Sequence, residues 1–502
     1  MTSTRFNSKR STALVLPLLV AVLAAAMWCL MVPVLAQADE QGIVAHSVDD
    51  SGTRIDYYSV DDAINAGYEG KTIVMDANWN SYSALVISYG KSITIDMNAH
   101  EIYNYGHSEV IRLYDDASLT LMSSASAKFT YQGYVDGKCS RTGVEVTTGG
   151  LVSGGYSKSD DSRYEDIAGG IMMDGHSSLT LDNVVVGGNL GDRAGGILAM
   201  GDCCIRIQNG ASVEHNVAVQ NYGGGITAWG NCVNILMDKG FVKSNYGYNG
   251  GGISVLDDGA TISMKNKSAI SGNHATNNGG GAFFDNTFFQ IMSEDRTASI
   301  DGNSCDNEGG GVYTASVSDD NDGLIVDTAI ADNTAGVDGG GVYLDQENTE
   351  MLHCTITGNT AKEDGGGVYV CNDDNKIADC TITGNVCNDG GDNYEGGGVF
   401  VGYRYDLNLT GKCVIKDNTR GKNGSADDLF LSANVGNTAS AYITGGVDLG
   451  SKVGIRTGIT GDQRIGDHIG IYAEGVYFAD LGGYYVSHGD DHGGDLWQRH
   501  HD

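Results

Sequence analysis

Ten carboxylates in the middle of this chain could bind a cation. Asp257, Asp258, Asp285, Asp319, Asp320, Asp322, Asp345, Glu347, Asp373 and Asp374 each follow a glycine-rich step by a few residues. Carboxylate oxygens grouped on one edge are the donors calcium takes, and Asp319, Asp320, Asp322, Asp345, Asp373 and Asp374 are the candidate calcium ligands. An EF-hand is not among the options, because in the Ser318–Gly323 stretch Ser318 would be the first ligand and Ala329 the twelfth position. The other reading is a solvated edge that resists aggregation. A second set is aromatic: Phe283, Tyr313, Tyr343, Tyr369 and Phe400 follow the same glycine step in successive units. Such rings either stack as a ladder that stiffens the fold or offer an outward strip to which a neutral glycan can bind.

Catalytic patterns are sparse. Lysine and arginine recur at no fixed position of the repeat, so no base is placed for proton abstraction. His488, His492, His500 and His501 lie among Asp490, Asp491, Asp495 and Asp502, but without the spacing of a metal site, and residues 486–502 read as a frayed tail.

The elements that must position these residues come from a repeat of about 28 residues. A glycine run ends at Gly170, Gly196, Gly225, Gly252, Gly281, Gly311, Gly341, Gly367 and Gly398. In phase with it, an asparagine recurs at Asn189, Asn216, Asn245, Asn273, Asn303, Asn333, Asn359, Asn385 and Asn418. Each unit alternates apolar residues with period two, as strands do. In Val342-Tyr343-Leu344 and Val368-Tyr369-Val370 the aliphatics share one face, which turns the tyrosines outward. The glycines permit turns closed to other residues, and asparagine tolerates a left-handed turn while its amide bonds nearby backbone.

Coils stacked at a strand spacing of ~4.8 Å follow, so nine units make a rod of about 40 Å. The expected fold is all-β: a single-stranded right-handed parallel β-helix, a solenoid, with a short N-terminal capping helix at Ser59–Ile64. Capping strands are expected near Ile73–Met75, Leu85–Ile87 and Ile93–Ile95, and closing strands at Tyr442–Leu449, Val453–Ile455 and Gly475–Tyr485. The repeat also stacks cysteines. Cys354, Cys380 and Cys413 precede their asparagines by five residues, and Cys203 and Cys232 follow their glycines by seven. Buried thiol ladders and disulfides are both compatible with that placement.

Composition bounds the partners. The net charge of −34 excludes nucleic acid and repels anionic surfaces unless cations bridge them. Both prolines, Pro17 and Pro33, lie in the N-terminal leader, whereas all 75 glycines lie beyond it, as suits a chain mostly paired in β-ladders. The leader has Arg5, Lys9 and Arg10, an apolar run from Ala13 to Leu35, and the cleavable Ala36-Gln37-Ala38. Residues 1–38 therefore read as a signal peptide, with an uncleaved anchor as the alternative. Beyond it come the cap and first coils (39–164), the regular repeats (165–420), C-terminal coils and cap (421–485) and the tail. After cleavage no membrane span is expected, and the location is secreted or cell-surface.

The "GKTIVMDANWN" opening, the "TGNTA…GGGVYV" units and the "GVYFADLGGYYVSHGDD" tail resemble right-handed parallel β-helix proteins of the pectate-lyase-like superfamily, in its secreted and surface set from Gram-positive gut bacteria. The glycine–asparagine pairing is also similar to the repeats of chlamydial polymorphic outer-membrane proteins, which are adhesins. The resemblance, over residues 55–485, specifies the fold and leaves the activity open. It implies a surface-associated binding or adhesion protein, with extracellular or host glycans or surface proteins as partners. The alternative it carries is a polysaccharide lyase or glycoside hydrolase. Against a hydrolase, Asn372-Asp373-Asp374 stands isolated and no Gly-His-Gly occurs.

Overall fold

The computed structural model describes residues 42–443, apart from short segments of which 158–167, 316–321 and 389–394 are the longest, and beyond them five separate strands. The signal-peptide reading lies outside the described residues. The chain is a parallel β-helix with almost no helix. One coil shows the design. Val342–Asp345 leaves the glycine step, Thr349–Leu352 follows a turn, Thr355–Thr357 follows another, and Thr360–Ala361 is a short fourth strand. Each pairs in parallel with its counterpart one coil on: Val342 with Val368, Met351 with Ile377, Ile356 with Ile382 and Ala361 with Cys387. Repetition of these pairings builds the 26-, 15- and 11-stranded sheets.

Strand alternation puts Val342, Leu344, Met351 and Ile356 inside with no exposed surface. The interior is one continuous apolar cluster from Val44 to Leu431. Beside it runs the asparagine series. The Asn333 backbone N–H donates to Asn359 Oδ1 at 3.0 Å, and Asn333 Nδ2 donates both to that oxygen (3.0 Å) and to Ile300 O one coil back (2.9 Å). This pattern runs from Asn189 to Asn418 and ends on the Asp428 carboxylate, which accepts both Asn418 bonds at 2.9 Å. The last rung needs an acceptor, which a carboxylate oxygen supplies.

One expectation is corrected. The asparagines do not take the left-handed turn; the residue before each does, as in Asp332 (φ 54°) and Gly358 (φ 68°). Glycine is required for two reasons, both visible at 339–341. Gly339 has φ +67°, and a Cβ on Gly341 would lie 2.6 Å from Gly367 O and 3.0 Å from Asn359 Nδ2.

The N-terminal cap matches its expectation. Helix Val60–Asn65 buries Val60, Ala63 and Ile64, and Ser59 caps it by accepting the Asp62 N–H at 3.0 Å. Ala45–Val48 pairs antiparallel with Arg54–Tyr57 and Thr72–Met75, closing the open edge. The expected strands appear as Thr72–Met75, Leu85–Ile87 and Ser92–Asp96. At the far end Ser440–Ile443, Val453–Thr457, Tyr477–Ala479 and Tyr484–His488 lie within or beside the expected strands, while 444–452 and 480–483 fall outside the described residues. The stretch read as a frayed tail contains Leu496–His500, paired antiparallel with Tyr484–His488 and Gln463–Gly466. Among the described residues no helix is long and apolar enough to cross a membrane.

Candidate functional site

The aromatic series forms a single stack on the outer side of the glycine-step strands, in a cluster separate from the core. Successive ring centroids from Phe283 through Tyr313, Tyr343 and Tyr369 to Phe400 lie 5.4, 5.1, 4.8 and 4.8 Å apart, with interplanar angles of 16° or less. Phe430 adds a sixth ring at 5.4 Å. The sequence reading missed it because Asp427-Asp428 replaces the glycines of its coil; Leu429-Phe430-Leu431 was the available signal.

The outward facing is right, but an open strip is not what results. Phe283, Tyr313, Tyr343 and Phe400 are only 5–8 % exposed, and Tyr369 is partly buried. Both faces of each inner ring are occupied by the rings above and below, so no face is left for a sugar. The first glycine of each triplet closes in from the side: a Cβ on Gly339 would meet Tyr343 Cβ at 2.9 Å. Phe283, Tyr313, Tyr343, Tyr369 and Phe400 are thus arranged as a stacked ladder, the first of the two readings of these residues.

Polar groups flank the ladder. Cys371 packs against the ring cluster, and Asp345 continues the strand that carries Tyr343. Burial raises the Asp345 carboxyl above its ordinary range and pushes the Cys371 thiol up to about 11. Asp373 Oδ1 accepts the Asp406 N–H at 3.0 Å, Asp374 occupies a left-handed turn position (φ 58°), and Asp319 and Asp320 fall outside the described residues. Among the described residues no three His, Cys, Asp or Glu side chains converge as a metal site requires. The edge positions of Asp322, Asp345, Asp373 and Asp374 follow from the repeat, but convergence does not, because stacking spreads one carboxylate per coil.

Sequence reasoning also missed a second polar series, formed by the residue just before each of the last six glycine triplets: Asn249, Asn278, Glu308, Asp338, Asp364 and Glu395. Here the lower side chain accepts from the coil above. Asp338 Oδ1 takes the Asp364 N–H at 2.8 Å, and Asp364 Oδ1 takes the Glu395 N–H at 2.7 Å. Burial, reinforced by the neighbouring Asp364, Glu363 and Glu308 charges, lifts Asp338 to about 7. Burial with Glu363 and Asp427 lifts Asp364 to about 7 as well. The signal was a polar residue at one offset in six successive units, from Asn249 to Glu395.

A third group lies under the antiparallel hairpin Ala127–Tyr131 and Val144–Thr148. Buried Glu214 receives Tyr131 Oη at 2.6 Å, Ser212 Oγ at 2.7 Å and Lys243 Nζ at 2.9 Å. Burial pushes its carboxyl up, but His215, Lys243, Tyr131 and Ser212 outweigh that and hold it at about 2. It is a permanently ionised clamp on the hairpin, too weak a base for proton abstraction.

The thiols of Cys354, Cys380 and Cys413 are buried and free, as the ladder reading expects. The Cys354 N–H donates to Cys380 Sγ at 3.2 Å, and the three thiols donate to Ile325 O, Met351 O and Ile377 O of preceding coils at 3.3–3.4 Å. Cys203 and Cys232 do not stack. Cys204 pairs with Asn234, so Cys203 stands opposite Val233, and Cys232 is displaced to an exposed left-handed turn position.

The sequence model of the Chlamydia polymorphic membrane protein repeat matches residues 353–371. That stretch contains the Thr355–Thr357 strand, ladder residue Asn359, the Asp364 carboxylate, the glycine triplet and Tyr369. No curated protein and no solved structure matches the chain. This β-helix therefore carries a repeat similar to that of the chlamydial polymorphic membrane proteins.

Proposed function

We propose that the chain is an exported, surface-associated solenoid that binds other surfaces without catalysing a reaction. The observation that carries this reading is the repeat match at residues 353–371. The matched coil is typical of the solenoid: its asparagine, carboxylate and tyrosine each belong to a ladder shared with the coils on either side. The leader and the charge of −34 support export and discourage contact with nucleic acid or bare anionic lipid. We place the fold in the pectate-lyase-like superfamily as a member that uses the β-helix as a rigid display rod. Glycans or surface proteins are its partners.

Two measurements test this. Antibody raised to the full chain should label intact, unpermeabilised cells of the producing organism. Beads coated with the purified chain should adhere to host epithelial cells above albumin-coated beads. Labelling only after permeabilisation, or equal adherence, overturns the proposal. Release of unsaturated uronides or reducing ends from polysaccharide would overturn its non-catalytic part.

A further inference from the structure

Aromatic rings can bind a sugar only where a face is open, and in this molecule the open faces are concentrated at one end. Of the nine large exposed apolar or aromatic side chains among the described residues, seven precede residue 106, and Tyr82, Tyr89 and Tyr105 are 67 %, 80 % and 44 % exposed. They belong to the first two coils. Ser81 pairs with Asn104, which sets Tyr82 beside Tyr105, and Val86 of the next strand pairs with Arg112, so that Tyr82 precedes and Tyr89 follows the strand Leu85–Ile87.

Their geometry differs from that of the ladder. Tyr82 and Tyr105 have centroids 5.7 Å apart and planes tilted by 34°, and Tyr103 lies 4.4 Å from Tyr105 at 53°. Tyr89 meets Tyr114 edge-on at 6.2 Å and 69°. Rings tilted in this way leave part of each other's faces open, as the exposure of Tyr82 and Tyr105 shows. Tyr103 is anchored from behind, because a Cβ on Gly154 would meet its ring at 2.5 Å. The outer rings thus stand on a fixed base. Around Tyr82 the rim is neutral and hydrogen-bonding: exposed Asn80 and Ser83, with Ser81 Oγ accepting the Ser83 N–H at 3.1 Å. Exposed Asp115 and Asp116 lie beyond Tyr114, and the nearby Arg112 is paired with Glu109.

We infer that Tyr82, Tyr105 and Tyr89 form a contact surface for a neutral oligosaccharide, an inference that rests on the surface-binding function proposed above. A pyranose presents a flat C–H face to a ring and hydroxyls at its edge, which matches separate tilted plates bordered by amide and hydroxyl groups. The nearby carboxylates and the overall negative charge disfavour an acidic polysaccharide. A proline-rich peptide needs a continuous aromatic trough, and rings tilted by 34–69° do not make one.

The test is calorimetric titration of the purified full chain with cellohexaose and maltohexaose, with hexagalacturonate and decaproline as controls. At least one neutral hexaose should bind, and Tyr82→Ala/Tyr105→Ala should weaken it roughly ten-fold, as expected when two stacking contacts are lost. Tyr89→Ala should have a smaller effect, and Tyr343→Phe none. Circular dichroism and melting of each variant confirm that the fold persists. Absence of binding to both neutral hexaoses, binding that survives the double substitution, or preference for decaproline or hexagalacturonate overturns the inference. If coated beads still adhere in that case, the adhesion reading stands and only the sugar surface falls. If beads do not adhere although a hexaose binds at these tyrosines, the reverse holds.

Discussion

The regular coils and the first two coils are built by the same stacking rule, yet they leave very different side chains available. Between Asn189 and Asn418 the recurring ladder side chains are bonded to or stacked on their equivalents one coil away: amide to amide, ring to ring, carboxylate to backbone N–H. In the first coils, Asn104 turns inward on its own loop, donating to Ser108 Oγ (2.9 Å) and Glu109 O (2.7 Å), and the tyrosines remain uncovered. A repeated residue is thus evidence of structure before it is evidence of function. Open aromatic side chains are concentrated where the repeat is broken.

The largest test of that contrast is Asn359→Ala. It strands the buried Asn333 N–H, takes one of the two acceptors from Asn333 Nδ2, removes a donor from Ile330 O, and leaves Asn385 Oδ1 with only the backbone N–H of residue 359. Buried unsatisfied polar groups cost about 1–3 kcal/mol each, so a loss on the order of 3–5 kcal/mol is expected. Because a solenoid's stability is a chain of neighbour terms, urea unfolding should also separate into two transitions. A single transition at the original midpoint would show that the ladder is decorative.

Next comes the carboxylate ladder, where pH acts. The folded-state values of Asp338 and Asp364, about 7, lie above the ordinary carboxylate range. The folded chain therefore holds protons that the unfolded chain releases, and stability falls as pH rises from roughly 4 to 7 and is flat above. Glu214, at about 2, has the opposite sign: its contribution is full above roughly pH 4 and lost as pH falls toward 2. Together they place maximum stability near pH 4–5. Asp338→Asn/Asp364→Asn removes the penalty of both charges and should raise stability at pH 8 by about 2 kcal/mol after solvent screening, with little change at pH 4.5. Melting temperatures at the two pH values check this, and equal shifts at both would refute the proton account.

Much of this was legible in the residues. The in-phase glycine and asparagine series defines coil length, register and facing, because period-two alternation leaves only one way to bury Val342 and Leu344. The capping helix was readable from Ser59 and the spacing of Val60, Ala63 and Ile64. The fate of the aromatics was legible only as two alternatives, a stacked ladder or an open strip. Alternation says that Tyr343 points outward, but not that identical residues one strand spacing apart cover one another. The exposed tyrosines escaped notice for the converse reason: they belong to no repeat and produce no periodic signal.

Replacing single rings compares the two aromatic sets directly. Tyr343→Ala opens a gap between Tyr313 and Tyr369 and removes a ring that is 7 % exposed, while the inner face stays intact. A loss of about 1–3 kcal/mol is expected, at the lower end of aromatic truncations because the cavity is at the surface.

Tyr82→Ala is the smallest effect and the sharpest discriminator. Its ring is 67 % exposed and touches Tyr105 at a tilt, so truncation uncovers little apolar surface. Exposed substitutions away from caps and buried networks change stability by no more than about 0.5 kcal/mol. A ring kept for packing would cost more than that when removed, and one kept for an external ligand would not. Chemical denaturation of Tyr82→Ala and Tyr343→Ala, run side by side, should therefore give midpoints indistinguishable from the parent for the first and clearly lowered for the second. If Tyr82→Ala destabilises as much as Tyr343→Ala, the N-terminal tyrosines are simply another structural contact. The distinction between stacked and open rings would then carry no functional meaning.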